Sequence, residues 1–318
     1  MDRLFVGLPD QLLVVTPGGE TVTRLTDRRI ECLAVCEETI LVGTFEDGLL
    51  RSVDGGETFV PAGTAIKETA VTALASSTHD PSVVYAGTEP SGLYRSRDAG
   101  ASWSRIEGLT AVPSASTWSF PPRPDTHHVR SIAVDPVDPE RLFVAVEAGA
   151  LLVTTDGGET WIDRPPGSPR DSHTLAAPAA EPGLVYAAAG DGFARSRTGG
   201  ESWEQPQAGL EQRYCWGLAV DPADPERVLV SAAANATAAH RLERADTGCY
   251  RLEDGEWTKL EGSAVPAGSG VCRAVFASDE DAIVAVTNQG LVRTTTFGDE
   301  WEPMTVSLPE GVPRALAL

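Results

Sequence analysis

Lysine is nearly missing from this chain. Only Lys67 and Lys259 occur in 318 residues, and every other basic side chain is arginine. The 46 aspartates and glutamates outnumber the 25 lysines and arginines, for a formal charge of −21. With no basic stripe there is no footprint for a phosphate backbone, so nucleic acid is excluded as a partner. Long apolar runs are missing too: none approaches the ~20 residues of a bilayer span, so no membrane partner is expected. The five cysteines, Cys32, Cys36, Cys215, Cys249 and Cys272, are odd in number and scattered, without a CxxC pair. They predict no disulfide framework. There is no HExxH spacing, and the Gly-Gly pairs fall in turns where no phosphate loop is expected. The segment from Met1 to Pro9 reads as a strand, not a leader, which makes the expected location cytoplasmic. An acidic, lysine-poor surface stays hydrated in concentrated salt and points to a halophilic setting; the alternative is an ordinary acidic soluble protein.

What the chain has is one phrase that keeps returning, Ser-x-Asp-x-Gly-x-Thr-Trp. Clear copies run over Ser52–Phe59, Ser96–Trp103 and Thr154–Trp161. Weaker ones run over Ser196–Trp203, Thr294–Trp301 and Arg251–Trp257, with a remnant at Thr16–Thr21. A period of roughly 40–50 residues marks a repeat architecture. Within each copy the aspartate can accept hydrogen bonds from its own turn, and the glycine supplies positive φ. The closing aromatic then starts a strand and buries its ring against the next unit.

The phrase resembles the Asp-box (BNR) repeat of sialidases, sortilin-type receptors and photosystem II assembly factors, and the resemblance covers essentially the whole chain. It implies that the turns are structural and remote from any ligand site. Two apolar runs precede each phrase, so with the strands around the turn each repeat has four strands, the unit of a propeller blade. Seven first strands can be counted, from Ile30–Val35 to Arg314–Leu318. The last has no partners after it, and Arg3–Leu8 matches the second-strand phrase Arg141–Val146. The fold expected is therefore all-β, a seven-bladed β-propeller over residues 1–318 as a single domain. Its last blade joins about 313–318 to 1–25, so the N- and C-terminal strands close the ring.

Strand direction puts the Asp-box turns on one face, called the bottom here. The interval from Asp98 to Asp156 exceeds that from Asp156 to Thr198, and the excess falls in Ser104–His128. A second insertion falls in Ala232–Gly248. Both belong to the top face, where long loops on a rigid scaffold build binding sites. Aligned on their apolar register, the first strands place Glu31, Val71, Arg130, His173, Trp216, Arg273 and Arg314 at the channel mouth. His127, His128, Tyr214 and Cys215 lie beside them in sequence, and Glu46, Glu89, Glu147, Asp191, Asn288 and His240 belong to the other top loops. The segment Trp118–Pro124 is the expected lid or rim.

This set predicts a pocket for a small anionic molecule, carboxylated or sugar-derived. Arg130, Arg273 and Arg314 offer planar forks for an acid group. Glu31, Glu147, Trp216 and His127 complete the ligand contacts. His173, His128 and Tyr214 are the candidates for hydrolase or lyase chemistry by acid–base transfer. The resemblance to sialidases implies an Arg cluster with a Tyr nucleophile, but the Phe-Arg-Ile-Pro phrase of that family is absent. A metal ion held by the histidines with Glu147 or Asp191 is left open as a cofactor, and no metal ligand is assigned. Cys215 as a nucleophile competes with a buried structural thiol. Two further readings remain: the same groups fill the channel as Arg–carboxylate pairs, or the protein is a scaffold for a protein partner, like the assembly factors.

Overall fold

The computed structural model describes residues 3–262, 264–279 and 281–318; Met1 and Asp2, assigned from sequence to the closing blade, lie outside them. The repeated turn is locked by its own side chains. Asp54 Oδ1 accepts from the backbone N–H groups of Glu57 and Thr58 at 3.1 and 3.0 Å, and Oδ2 from the Thr58 hydroxyl at 2.6 Å. Ser52 donates to Asp54 at 2.7 Å and accepts from the Gly56 N–H at 2.9 Å. Asp98 and Asp156 repeat the pattern. There the hydroxyls of Ser102 and Thr160, followed by their backbone N–H groups, hold the carboxyl down at about 2. In the weaker copies Thr198 and Thr296 stand in for aspartate, accepting from the N–H of Ser202 at 3.0 Å and of Glu300 at 2.9 Å. Gly56 has φ +85°, and a Cβ there would sit 2.8 Å from the ring of Phe5 in the neighbouring blade. Glycine is thus required both for conformation and for approach.

These turns punctuate seven antiparallel sheets. Numbered along the chain, their innermost strands are Ile30–Cys36, Ala70–Ser76, Val129–Val134, Ser172–Ala176, Tyr214–Val220, Val275–Ser278 and Ala315–Ala317. The seven-bladed propeller expected from the sequence is the fold observed. Its last blade is stitched from both ends: Phe5, Val6 and Gly7 pair with Ala317, Leu316 and Ala315. Blade four departs from the four-strand pattern, because its outer strand shrinks to the single bridge between Arg195 and Glu204. Two residues on, Pro206 lacks an N–H for the ladder. No helix among the described residues is long and apolar enough to cross a membrane.

The core lies between blades. One apolar cluster joins Tyr85 and Leu93 of blade two to Val144 and Leu152 of blade three; the next joins Phe143 and Val153 to Val185 and Ala194 of blade four. Small residues on the second strands let the next inner strand come close. A Cβ on Gly87 would lie 2.4 Å from a Val129 methyl, and one on Gly43 would lie 2.3 Å from Cys32 Sγ and 2.7 Å from Val71 O. Hydroxyls tie the blades further. Thr72 donates to Val129 O at 2.6 Å, and Ser231 accepts from the Ala274 N–H at 2.9 Å.

Candidate functional site

Five inner strands carry a β-bulge near their heads, at Ile30/Cys32, Val71/Ala73, Val129/Ser131, Ser172/Thr174 and Cys215/Leu218. A bulge leaves a residue unpaired and re-aims its side chain. The residues freed are Glu31, Thr72, Arg130, His173 and Trp216, and Arg273 and Arg314 stand just before the last two inner strands. One member of the sequence-derived ring is corrected. Val71 pairs with Thr88 and is fully buried, and its neighbour Thr72 occupies the ring. A register read from apolar residues alone cannot see the extra residue of a bulge.

The ring divides the axis of the propeller. Glu31, Thr72, Arg130, Trp216 and Arg314 line both an upper cavity of about 750 Å³ and a smaller one of about 210 Å³ in the channel below, and His173 lines the smaller one. Trp216 lines both cavities. The guanidinium carbons of Arg130 and Arg273 lie 4.5 and 4.8 Å from its ring, and the imidazoles of His173 and His240 lie 4.4 and 4.3 Å away. Cation–π contact and stacking hold the indole in place.

The charges on this ring are unevenly satisfied. Glu31 accepts from Arg314 at 2.9 and 3.0 Å and lies 2.6 Å from Arg29 Nε. Glu147 is buried, which alone would raise its pKa. The hydrogen bond from His128 at 2.9 Å and the charges of Arg130 and His173 instead bring it down to about 2. Arg273 is 4 % exposed and donates to Pro313 O at 2.6 Å. Among the described residues it has no carboxylate partner. Burial, reinforced by Arg130 and Arg314, lowers its pKa to about 9. Burial also lowers Arg314, against the pull of Glu31.

The remaining candidates separate. His128 lines the upper cavity, with Nε2 on Glu147 and Nδ1 3.7 Å from Glu89. His127 turns the other way, bonded to Ser91 at 2.8 Å and edge-on to Trp118. Tyr214 lines the cavity with its hydroxyl 3.3 Å from His240 Nε2. Burial, then Glu147 and Asp171, push that hydroxyl up, opposite to the need of a nucleophile. Cys215 is fully buried and its thiol is likewise raised by burial. Glu46 and Asp191 are exposed, and Asn288 is committed to the backbone at Cys272 and Gly270. The first insertion supplies Phe120, Pro121, Pro122 and Arg123 to the rim. Arg123 ties it down through Glu89 at 2.7 and 2.5 Å and over the ring of Phe45. The second supplies the short helix Ala236–His240, capped by Asn235.

Sequence reasoning missed Asp171 and Arg29 as members of the site, whereas Arg123 stands in the expected rim segment. Asp171 lines the upper cavity 3.7 Å from His173 Nε2. Its signal was present, since it stands two residues before His173 at the head of an inner strand.

No family model matches the chain. Over 219 residues it is 27% identical to xyloglucanase Xgh74A of Acetivibrio thermocellus, an alignment covering 58% of the chain and 26% of that protein. The chain is similar to xyloglucanases. It spans about a quarter of the length of the curated relatives it matches. Among solved structures it resembles the GH74 xyloglucanase of Xanthomonas campestris (TM-score 0.63, 20% identity, covering 91% of this chain and 47% of that one). It also resembles YCF48 bound to D1 peptide (TM-score 0.58, 14% identity, covering 87% and 82%). At these identities the structural likeness speaks for the propeller fold.

Proposed function

We propose that the upper cavity binds a small anionic molecule, carboxylated or sugar-derived, through Arg273, Arg130 and Arg314 with Trp216 as an apolar platform. The observation that carries this reading is Arg273: a buried cation facing the cavity with no carboxylate among the described residues. Burying an unpaired charge is costly, and an incoming acid group would offset that cost. Arg130 and Arg314 repel Arg273 and sharpen the preference for an anion. The repeated turns are read as Asp-box turns, placed on the opposite face. The setting we propose is a salt-rich cytoplasm.

A hydrolase or lyase reading draws support from the xyloglucanase likeness. It would need a group tuned for proton transfer, and Tyr214 is shifted up while Glu147 is shifted down. Binding is therefore the reading that the geometry favours. The test is a thermal-shift and calorimetric screen of uronic acids, small carboxylates, phosphate and sulfate on the parent and on Arg273→Met. Loss of the arginine should weaken the best anion by about 1.5–3 kcal/mol, the scale of a charge-assisted hydrogen bond. If no anion binds, or the variant binds equally well, the pocket reading fails.

A scaffold for a protein partner is the second reading. The likeness to YCF48, which covers 82% of a chain solved with a bound peptide, favours it. An acidic peptide ending in a free carboxylate, included in the same screen, separates the two readings.

A further inference from the structure

We propose that Glu147, Asp171 and His173 form a binding site for a divalent transition-metal ion of the zinc type in the wall of the upper cavity. Their donor atoms already converge. His173 Nε2 lies 3.7 Å from Asp171 Oδ2 and 4.0 Å from Glu147 Oε1, and one donor atom from each of the three falls within 4.8 Å of the others. At these separations none of the pairs is a hydrogen bond. A zinc ion holds nitrogen and carboxylate oxygen at about 2.0–2.2 Å, which places tetrahedral donors roughly 3.3–3.6 Å apart. Closing around an ion thus takes shifts of about an ångström or less.

The second observation is how each ligand is held. His173 Nδ1 lies 2.6 Å from Cys215 O, and a carbonyl can only accept, so Nδ1 carries the proton. In the neutral ring Nε2 is then left with a lone pair. It is buried and has no hydrogen-bond partner among the described residues, while it faces the two carboxylates. Asp171 Oδ1 accepts from the Ala148 N–H at 2.9 Å, leaving Oδ2 turned to the same point. Glu147 Oε2 accepts from His128 at 2.9 Å with Arg130 Nε at 3.6 Å, leaving Oε1. Each residue therefore has one polar atom fixed by an outer partner and one aimed inward, the arrangement that orients metal ligands. One imidazole with two carboxylates suits zinc, or manganese at larger radius, better than magnesium or calcium, which favour oxygen alone. Glu147 and Asp171 line the upper cavity, and His173 lines the smaller cavity below it. The inference uses none of the cavity's anion-binding arginines as ligands, so it stands apart from the function proposed above.

The experiment uses the full chain, treated with chelator and dialysed, then titrated with Zn²⁺ by calorimetry and with Co²⁺ by visible absorption. One equivalent should bind, and Co²⁺ should give the ligand-field bands of a low-coordinate nitrogen and oxygen site. Asp171→Asn is the informative variant. The Asp171 side chain is 35 % exposed, and asparagine keeps an acceptor for Ala148, so the fold should survive. It should weaken Zn²⁺ by about 100-fold at an unchanged melting temperature. His173→Gln should weaken Zn²⁺ comparably but also lower the melting temperature, since it removes buried contacts with Cys215 and Trp216. His79, outside the cluster, serves as control in His79→Asn. Absence of saturable uptake by the parent chain would overturn the proposal. So would uptake that survives Asp171→Asn or is lost in His79→Asn.

Discussion

At the scale of the residue, His240 shows how burial sets a protonation state. Desolvation, followed by the charges of Arg273 and His173, drives its pKa down from 6.5 to about 2. The folded form therefore keeps the ring neutral while the unfolded chain can take a proton. Because the folded value is depressed, this contribution is complete above pH 6.5 and is lost as pH falls below it. At pH 5 the loss approaches about 2 kcal/mol, at 1.36 kcal/mol per unit. Melting curves of the parent and His240→Asn, compared from pH 7 to pH 5, should show the parent losing ground to the variant. Parallel curves would mean that the ring protonates without leaving the fold. Residue chemistry was partly readable beforehand. Arg130, His173, Trp216, Arg273 and Arg314 stood out as polar or indole groups heading apolar runs; four of them line the upper cavity, and His173 lines the smaller cavity below it. Their pairings were not readable, because Glu31 reaches Arg314 across 283 positions of sequence.

At the scale of the element, the blade depends on where side chains are absent. Gly87→Ala would push a methyl to within 2.4 Å of Val129 Cγ1, so the variant should lose about 1–3 kcal/mol through overpacking. Val129→Ala, which alone leaves a cavity, should relieve that clash. Denaturant titrations of the two single variants and the double should show that the double loses less than the sum. Strictly additive losses would mean that the two positions do not press on each other. The strands themselves were legible because alternation and turn chemistry repeat seven times and each copy corroborates the others. The bulges were not, since one additional residue leaves the composition of a strand unchanged. That is why Val71 was expected where Thr72 stands. The shortened outer strand of blade four was concealed in the same way, behind an intact turn at Ser196–Trp203.

At the scale of the molecule, closure and charge govern stability. Among the described residues the inner strand Ala315–Ala317 pairs only with Leu4–Gly7 within its sheet. Deleting residues 313–318 should open blade seven, expose a strand edge and cost several kcal/mol, visible as a lower melting temperature or as aggregation. A truncated chain that melts with the parent would contradict the stitched blade. The excess of 46 acidic over 25 basic residues should make the fold repel itself in dilute buffer. The screening length falls from about 10 Å at 0.1 M to about 3 Å at 1 M salt, so the melting temperature should rise steeply over that range of KCl. A flat response would remove the case for a high-salt setting.

The ring that splits the axis also decides what shape of molecule can be received. Trp216, clasped by Arg130, Arg273, His173 and His240, lines both the upper cavity and the one below it, and we read it as the floor of a cup where an unobstructed propeller would be a tube. A polymer cannot be threaded through a cup. A long saccharide or peptide could present only its terminus or a side branch, and everything beyond that unit would have to rest on the rim built by Phe120, Pro121 and Arg241. Recognition here would read ends in preference to interiors, and a molecule blocked at its end should be ignored however closely its middle resembles the true ligand.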